Sequence, residues 1–492
     1  MIYISILGYG KLFTKTININ QNFLDEYKLS EFIFGLITLG LLGIVINFIS
    51  NINDFVSYSI VIIGIILFAF FFIVYKNKLN YIFFFLIVVI FSVIFSYYTI
   101  LNDDFSYHFR TIKNFKHYNI FEIFHERRSS YNSHWLFLHS LIYTEKYPLF
   151  LLSITSVFYT LIVIDFFNSL KRNLTNNNFI IAVYSLFTLL FLLGVINSYK
   201  EYGTDIPGQL IFLYIFLILF EKSELLKNEN SNKILFIIVI ISFFSISIKI
   251  SNVFILAILL FLFFYWKNKI YFMLISFLGT FPFIFWLFQN IIISKCLVWP
   301  LPISCYGNIS EAKNEMFIIQ AFAKSVLKGS NQEIYTKLND FNWLPFWFES
   351  HFPKILETYG IFILLLLIPI IIFRLIYGSF NYKKIRELCF KPDIIFFSII
   401  IFIANIFWFI NAPAYRFGIA YNFSLLILFF LPFWGYFLFA NKKYFNLILR
   451  IYLFIGIIIF SYQNIYKSKK YIDRYGFDWP NVKEGKYLEK LN

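Results

Sequence analysis

The chain has 492 residues, of which 60% are hydrophobic and only 14% charged, with a mean hydropathy of +0.72. These values exclude an ordinary soluble domain. The net charge of +15 does not point to nucleic acid, because the basic residues are scattered between apolar runs, where topology signals belong. The 70 Phe and 35 Tyr, with abundant Ile, Asn and Lys, read as an AT-rich codon bias and are discounted as functional evidence.

Met1 to Glu31 is polar and mixed and carries no cleavable signal peptide pattern. It is expected as a cytoplasmic N-terminal segment. Apolar runs follow at about 32–50, 55–75, 79–101, 148–167, 179–198, 207–221, 233–248, 251–266, 270–293, 359–377, 393–411, 417–439 and 445–462. Roughly 20 apolar residues cross a bilayer as helix, and in lipid the backbone must satisfy its own hydrogen bonds. The expectation is an all-α polytopic membrane protein with about thirteen transmembrane helices over 32–462.

Short loops set the orientation. Lys76, Lys78, Lys171, Arg172, Lys222, Lys227, Lys267, Lys269, Arg374, Lys383, Lys384, Arg386, Lys442 and Lys443 fall on one side, which is then the cytoplasm. The outer side receives loops 102–147 and 294–358 and a short tail, 463–492. Within the first loop, Trp135 to Tyr143 is too short to span and is expected as an interfacial or re-entrant helix. Cys296 and Cys305 flank LVWPLPIS in the second loop, where a bridge or two free thiols both fit.

The polar island Leu101–Trp135 begins where the third run ends. Asp103 and Asp104 are followed by Tyr107 and His108 in helical phase, so that Asp104 can meet His108, and Asp103 can meet Tyr107. A carboxylate at a water–membrane boundary suits a general base for a hydroxyl, and carboxylate with His also suits a hard divalent cation, Mg or Mn. The bland alternative is that the acids only cap a helix end. Further outer junctions carry Lys200 and Asp205 in SYKEYGTDIPG, Lys249 in SIKIS, and Arg416 in NAPAYRFG. Asp205 serves equally as a helix N-cap, Lys249 as a snorkelling cation, and Arg416 as an interfacial helix end. As a group, the two cations suit a phosphate ester.

These features together resemble the GT-C superfamily of polyprenyl-phosphate-sugar-dependent membrane glycosyltransferases, over about residues 79 to 440. The resemblance implies a GT-C-like fold in the inner (cytoplasmic) membrane with an extracytoplasmic active site. It implies Asp103, Asp104 and His108 as catalytic residues, with the two acids also able to anchor a metal. Tyr107, Lys200, Asp205, Lys249 and Arg416 would bind substrate. The partners would be a polyprenyl-phosphate sugar, a glycan, lipid or protein acceptor, and the bilayer, with no nucleic acid. The chain departs from better-known branches: it lacks a WWD-type signature, and DDFSYH is not the usual acidic pair. A surface-polysaccharide polymerase or ligase, and a transporter of lipid-linked saccharide, are the rival readings.

Overall fold

A computed structural model describes residues 1–19, 21–74, 85–90, 108–123, 132–146, 150–194, 203–222, 232–266, 268–299, 301–306, 328, 341–377, 383, 392–411, 413–440 and 445–475. Among them every regular element is a helix, and the sole β-type pairing is an isolated bridge between Cys296 and Cys305. In chain order the helices are α1 (Ile2–Thr16), α2 (Gln21–Glu26), α3 (Lys28–Ile49), α4 (Asp54–Val74), α5 (Phe109–His117) and α6 (His134–Ile142). They continue as α7 (Phe150–Thr175), α8 (Phe179–Gly194), α9 (Asp205–Lys222), α10 (Asn232–Ile248), α11 (Ile255–Tyr265) and α12 (Lys269–Ser294). The last five are α13 (Leu344–Ser350), α14 (Phe352–Tyr377), α15 (Pro392–Asn411), α16 (Ile419–Ala440) and α17 (Phe445–Tyr475).

Eight of the described helices are long and apolar enough to cross a membrane, the make-up of a membrane-embedded protein. Most expected runs coincide with a helix; of the run at 79–101, the structure describes residues 85–90, which are helical, and the rest lies outside the described residues. The bundle buries α8, α9 and α10 on nearly all sides. By contrast, α4, α12 and α17 leave large apolar side chains such as Phe70, Phe277 and Phe454 exposed, as lipid-facing helices do.

Three features go beyond the sequence reading and have physical causes. Residues 1–31 are folded into the bundle, with α1 packed along α3 and α4. Gly8 and Gly64 make this possible: a Cβ on Gly8 would overlap the carbonyl oxygen of Gly64, and one on Gly64 would overlap Ser5. Small residues let helix backbones approach closely, and this is the driving contact in lipid. On the α3 side, Lys11 reaches Glu31 at 2.5 Å, with both side chains buried.

The helix expected as interfacial or re-entrant, α6, is buried over all nine residues. Its residues are mostly apolar, and His134, His139 and Ser140 are buried with them, so it is packed inside the bundle, against α3, α4, α5 and α7 among others. Ser133 starts it by accepting a hydrogen bond from Trp135 N at 3.2 Å. At the other end of the chain, α17 runs on through Tyr475. No proline or glycine between Gly456 and Tyr475 stops it, so the expected tail begins as helix.

Charged groups inside the apolar helices are satisfied internally. Asp165 accepts from Lys28 N at 3.0 Å, Leu29 N at 2.9 Å and the Tyr214 hydroxyl at 3.1 Å. Glu221 closes the same end of the bundle: it accepts from Arg172 at 2.8 Å, from Asn173 at 2.7 Å, and from Ser169 and the Tyr27 hydroxyl. This end is a tied structural cap. The opposite end holds the residues of interest.

Candidate functional site

Three elements distant in sequence converge at that opposite end. Asp205 is the first residue of α9, Lys249 follows the last residue of α10, and Arg416 lies in the 3-10 turn Tyr415–Phe417 that leads into α16. Lys249 Nζ donates to Asp205 Oδ1, and Arg416 Nε stands 3.6 Å from Asp205 Oδ2. One carboxylate therefore faces two cations, and two positive charges less one negative leave an excess of +1. Asp205 side-chain exposure is 14%, that of Lys249 21% and that of Arg416 41%. The pair is thus partly desolvated while Arg416 reaches outward.

The surroundings hold this geometry. The Phe417 ring lies under both cations, 4.2 Å from Lys249 Nζ and 5.0 Å from Arg416 Cζ, each a cation–π contact. Gln209, one turn into α9, donates to the Arg416 carbonyl at 2.6 Å and accepts from Ala420 N at 2.8 Å. It thereby fixes the turn that carries Arg416. Asn252 donates to Ser245 Oγ at 2.8 Å and accepts from the Tyr421 hydroxyl at 2.9 Å, tying α10 to α16 just beyond Lys249. Gly208 leaves room here, since a Cβ on it would press on the Asn252 amide and on Lys249 Cβ.

His108 is buried. Of the expected site residues, the structure brings together Asp205, Lys249 and Arg416. Asp103, Asp104, Tyr107 and Lys200 lie outside the described residues. Among the described residues no three His, Cys, Asp or Glu side chains gather to hold a metal, and Asp205, already facing two cations, is poorly disposed toward a third.

Sequence reasoning missed Gln209, Asn252, Phe417 and Tyr421. The usable signal was an amide placed one turn inside an apolar run, as Gln209 is. It also missed a second ion pair at this end, where Lys116 Nζ stands 3.1 Å from Asp54 Oδ1 and donates to Ser57 Oγ at 2.7 Å. Burial pushes the Lys116 ammonium below its ordinary range, and the pairing with Asp54 only partly opposes this.

The two cysteines flanking LVWPLPIS are joined: Cys296 and Cys305 form a disulfide. The loop between them is further closed by Leu297 N donating to Ser304 O at 2.9 Å, and by Tyr306 N donating to Lys295 O at 2.8 Å. A stable disulfide belongs to an oxidising compartment.

A family model described as "Domain of unknown function (DUF8201)" matches residues 1–423. That stretch contains α1, the Asp205–Lys249–Arg416 cluster and the disulfide loop, and it ends before α17. No curated protein and no solved structure matches the chain.

Proposed function

The chain belongs to the DUF8201 family, and we propose that it is a GT-C-like membrane glycosyltransferase with about thirteen spans. It would move a sugar from a polyprenyl-phosphate donor to a glycan, lipid or protein acceptor on the extracytoplasmic face. The observation that carries this reading is the convergence of Lys249 and Arg416 on Asp205 at one end of the bundle. Such an end, net cationic and beside apolar helices, suits a phosphate whose lipid chain stays in the bilayer. The disulfide, which Asn290, Asn132 and Ser133 link to Ile248 beside Lys249, supports an outer placement.

The chemistry is one displacement. The acceptor hydroxyl oxygen forms a bond to the sugar anomeric carbon. The bond from that carbon to the phosphate oxygen breaks, and the phosphate leaves with the electron pair. The hydroxyl proton passes to Asp103 or Asp104, which precede His108 by five and four residues, with His108 close by to share it. Lys249 and Arg416 offset the negative charge that grows on the leaving phosphate. Asp205 holds the two cations at a set spacing, and Tyr107 and Lys200 complete the substrate contacts.

A polymerase or ligase would use the same step with a longer acceptor. A transporter would favour ionisable groups near mid-bilayer facing a path, whereas Asp165 is consumed by hydrogen bonds within the bundle.

The test is transfer in vitro from a polyprenyl-phosphate sugar. Asp103→Asn and Asp104→Asn together should lower the rate by roughly 100-fold or more, and Arg416→Ala should weaken donor binding. Full activity in both single variants and in the double ends the general-base assignment. A reporter inserted at Phe121, exposed in the loop after α5, should read as extracytoplasmic. A cytoplasmic reading sinks the placement.

A further inference from the structure

Beside the cation cluster lies a set of buried side-chain amides that the proposed chemistry does not use. Ser133 Oγ donates to the carbonyl of Ile248 at 2.7 Å, and Ile248 is the residue before Lys249. Its neighbour Asn132 is the centre of the set. Asn132 Nδ2 donates to Gln289 Oε1 at 3.0 Å and to Asn290 Oδ1 at 2.9 Å. Asn290 Nδ2 donates to the Leu297 carbonyl at 2.9 Å.

This network has only one consistent orientation. A backbone carbonyl can only accept, so Leu297 O requires Asn290 to point its Nδ2 toward the disulfide loop and its Oδ1 toward Asn132. Asn132 must then present its Nδ2, and Gln289 must answer with its Oε1. Two atoms are left over: Asn132 Oδ1, an acceptor, and Gln289 Nε2, a donor. Both are buried and have no hydrogen-bond partner among the described residues, with Asn132 8% exposed and Gln289 fully buried. Buried polar groups are almost always satisfied, so this leftover acceptor and donor on two hydrogen-bonded amides call for an explanation.

We infer that Asn132 and Gln289 read hydroxyl groups of an uncharged sugar carried by the lipid phosphate, an assignment that rests on the glycosyltransferase reading above. A hydroxyl both donates and accepts, and so complements an amide oxygen and an amide NH2 together. The amides are neutral, and the side chains bonded to them among the described residues (Asn290 and Trp286, whose Nε1 donates to Asn132 O at 3.2 Å) are neutral too. A uronic acid or amino sugar would bring an unpaired charge into this setting. Charge recognition is thus assigned to Lys249 and Arg416, and sugar recognition to the amides, which are tied to the Lys249 end of α10 through Ser133 and the Ile248 carbonyl.

The experiment measures binding to the full chain in nanodiscs with three probes: polyprenyl phosphate, polyprenyl-phosphate glucose and polyprenyl-phosphate glucuronic acid. Wild type should bind the glucose lipid about tenfold or more tighter than either other probe, the scale of a hydrogen bond gained in a desolvated site. Gln289→Met should abolish that preference and leave affinity for bare polyprenyl phosphate unchanged. Should that variant not fold, Asn132→Ser, whose shorter side chain withdraws the acceptor from the Oδ1 position, is read the same way. Equal wild-type affinity for the bare and glucose lipids overturns the inference, as does a preference that survives the substitutions. Failure of wild type to bind any of the three lipids is a different result, and removes the glycosyltransferase reading itself.

Discussion

Arg416 Nε stands 3.6 Å from the carboxylate that Lys249 also engages, so Asp205 is shared between two cations from different parts of the chain. Removing one partner of a desolvated pair leaves the other uncompensated, which costs more than removing both. Asp205→Asn should therefore destabilise the protein by about 3 kcal/mol, read as thermal unfolding in detergent. Adding Lys249→Met to Asp205→Asn should recover most of that loss. A double variant no more stable than Asp205→Asn would mean that the pair is solvent-screened and holds nothing.

That cluster shows where sequence reading works and where it stops. Asp205, Lys249 and Arg416 stood out because charged residues are scarce and these mark the ends of apolar runs. Their mutual contacts could not be read, because Asp205 and Lys249 are 44 residues apart and an acid before Ile-Pro looks the same as an N-cap. The helices themselves were legible, since apolar runs of spanning length have few alternatives in lipid. Helix α1 was not legible: its residues mix Gly, Ser, Tyr and Lys, and its burial comes from close backbone approach to α3 and α4, which hydropathy does not register. The amides at Asn132, Gln289 and Asn290 were passed over for the opposite reason, since two of them sit inside an apolar helix whose average hides them.

The α1 seam gives a prediction with a built-in control. A methyl group at Gly8 has no space against the Gly64 carbonyl, whereas one at Gly360 meets nothing within 4 Å. Gly8→Ala should lower stability by roughly 1 to 3 kcal/mol through forced separation of α1 and α4. Gly360→Ala, mid-helix in α14, should be neutral or stabilising by up to about 1 kcal/mol. Equal melting behaviour of the two variants would show that α1 does not dock as described.

The disulfide is checked by counting thiols. The chain has three cysteines, and with Cys296 and Cys305 bonded only Cys389 remains to react. Alkylation of the denatured, unreduced protein should add one label, and three after reduction, as read by intact mass. Closing a loop of about ten residues restricts the unfolded chain by roughly 2 to 3 kcal/mol. Cys305→Ser should therefore loosen the segment that Asn290 holds through Leu297 O, seen as faster amide exchange at 297–304. Three labels without reductant would place this loop in a reducing compartment, against an outer site.

Lys116 provides a pH dependence whose sign follows from its burial. Its side chain is 4% exposed, and its ammonium titrates below the ordinary value of 10.5 because burial outweighs the attraction of Asp54 and Glu145. As pH rises, the folded state gives up this proton first, while the unfolded chain holds it until about 10.5. In that window the unfolded state binds more protons, so stability rises with pH. Below the window both states are charged, and the folded state bears the cost of a buried cation. Wild type should therefore gain stability relative to Lys116→Met as pH is raised from neutral toward 10, in paired denaturation curves. A difference between the two proteins that stays flat, or falls with pH, would mean that Lys116 is hydrated and its ordinary proton affinity intact.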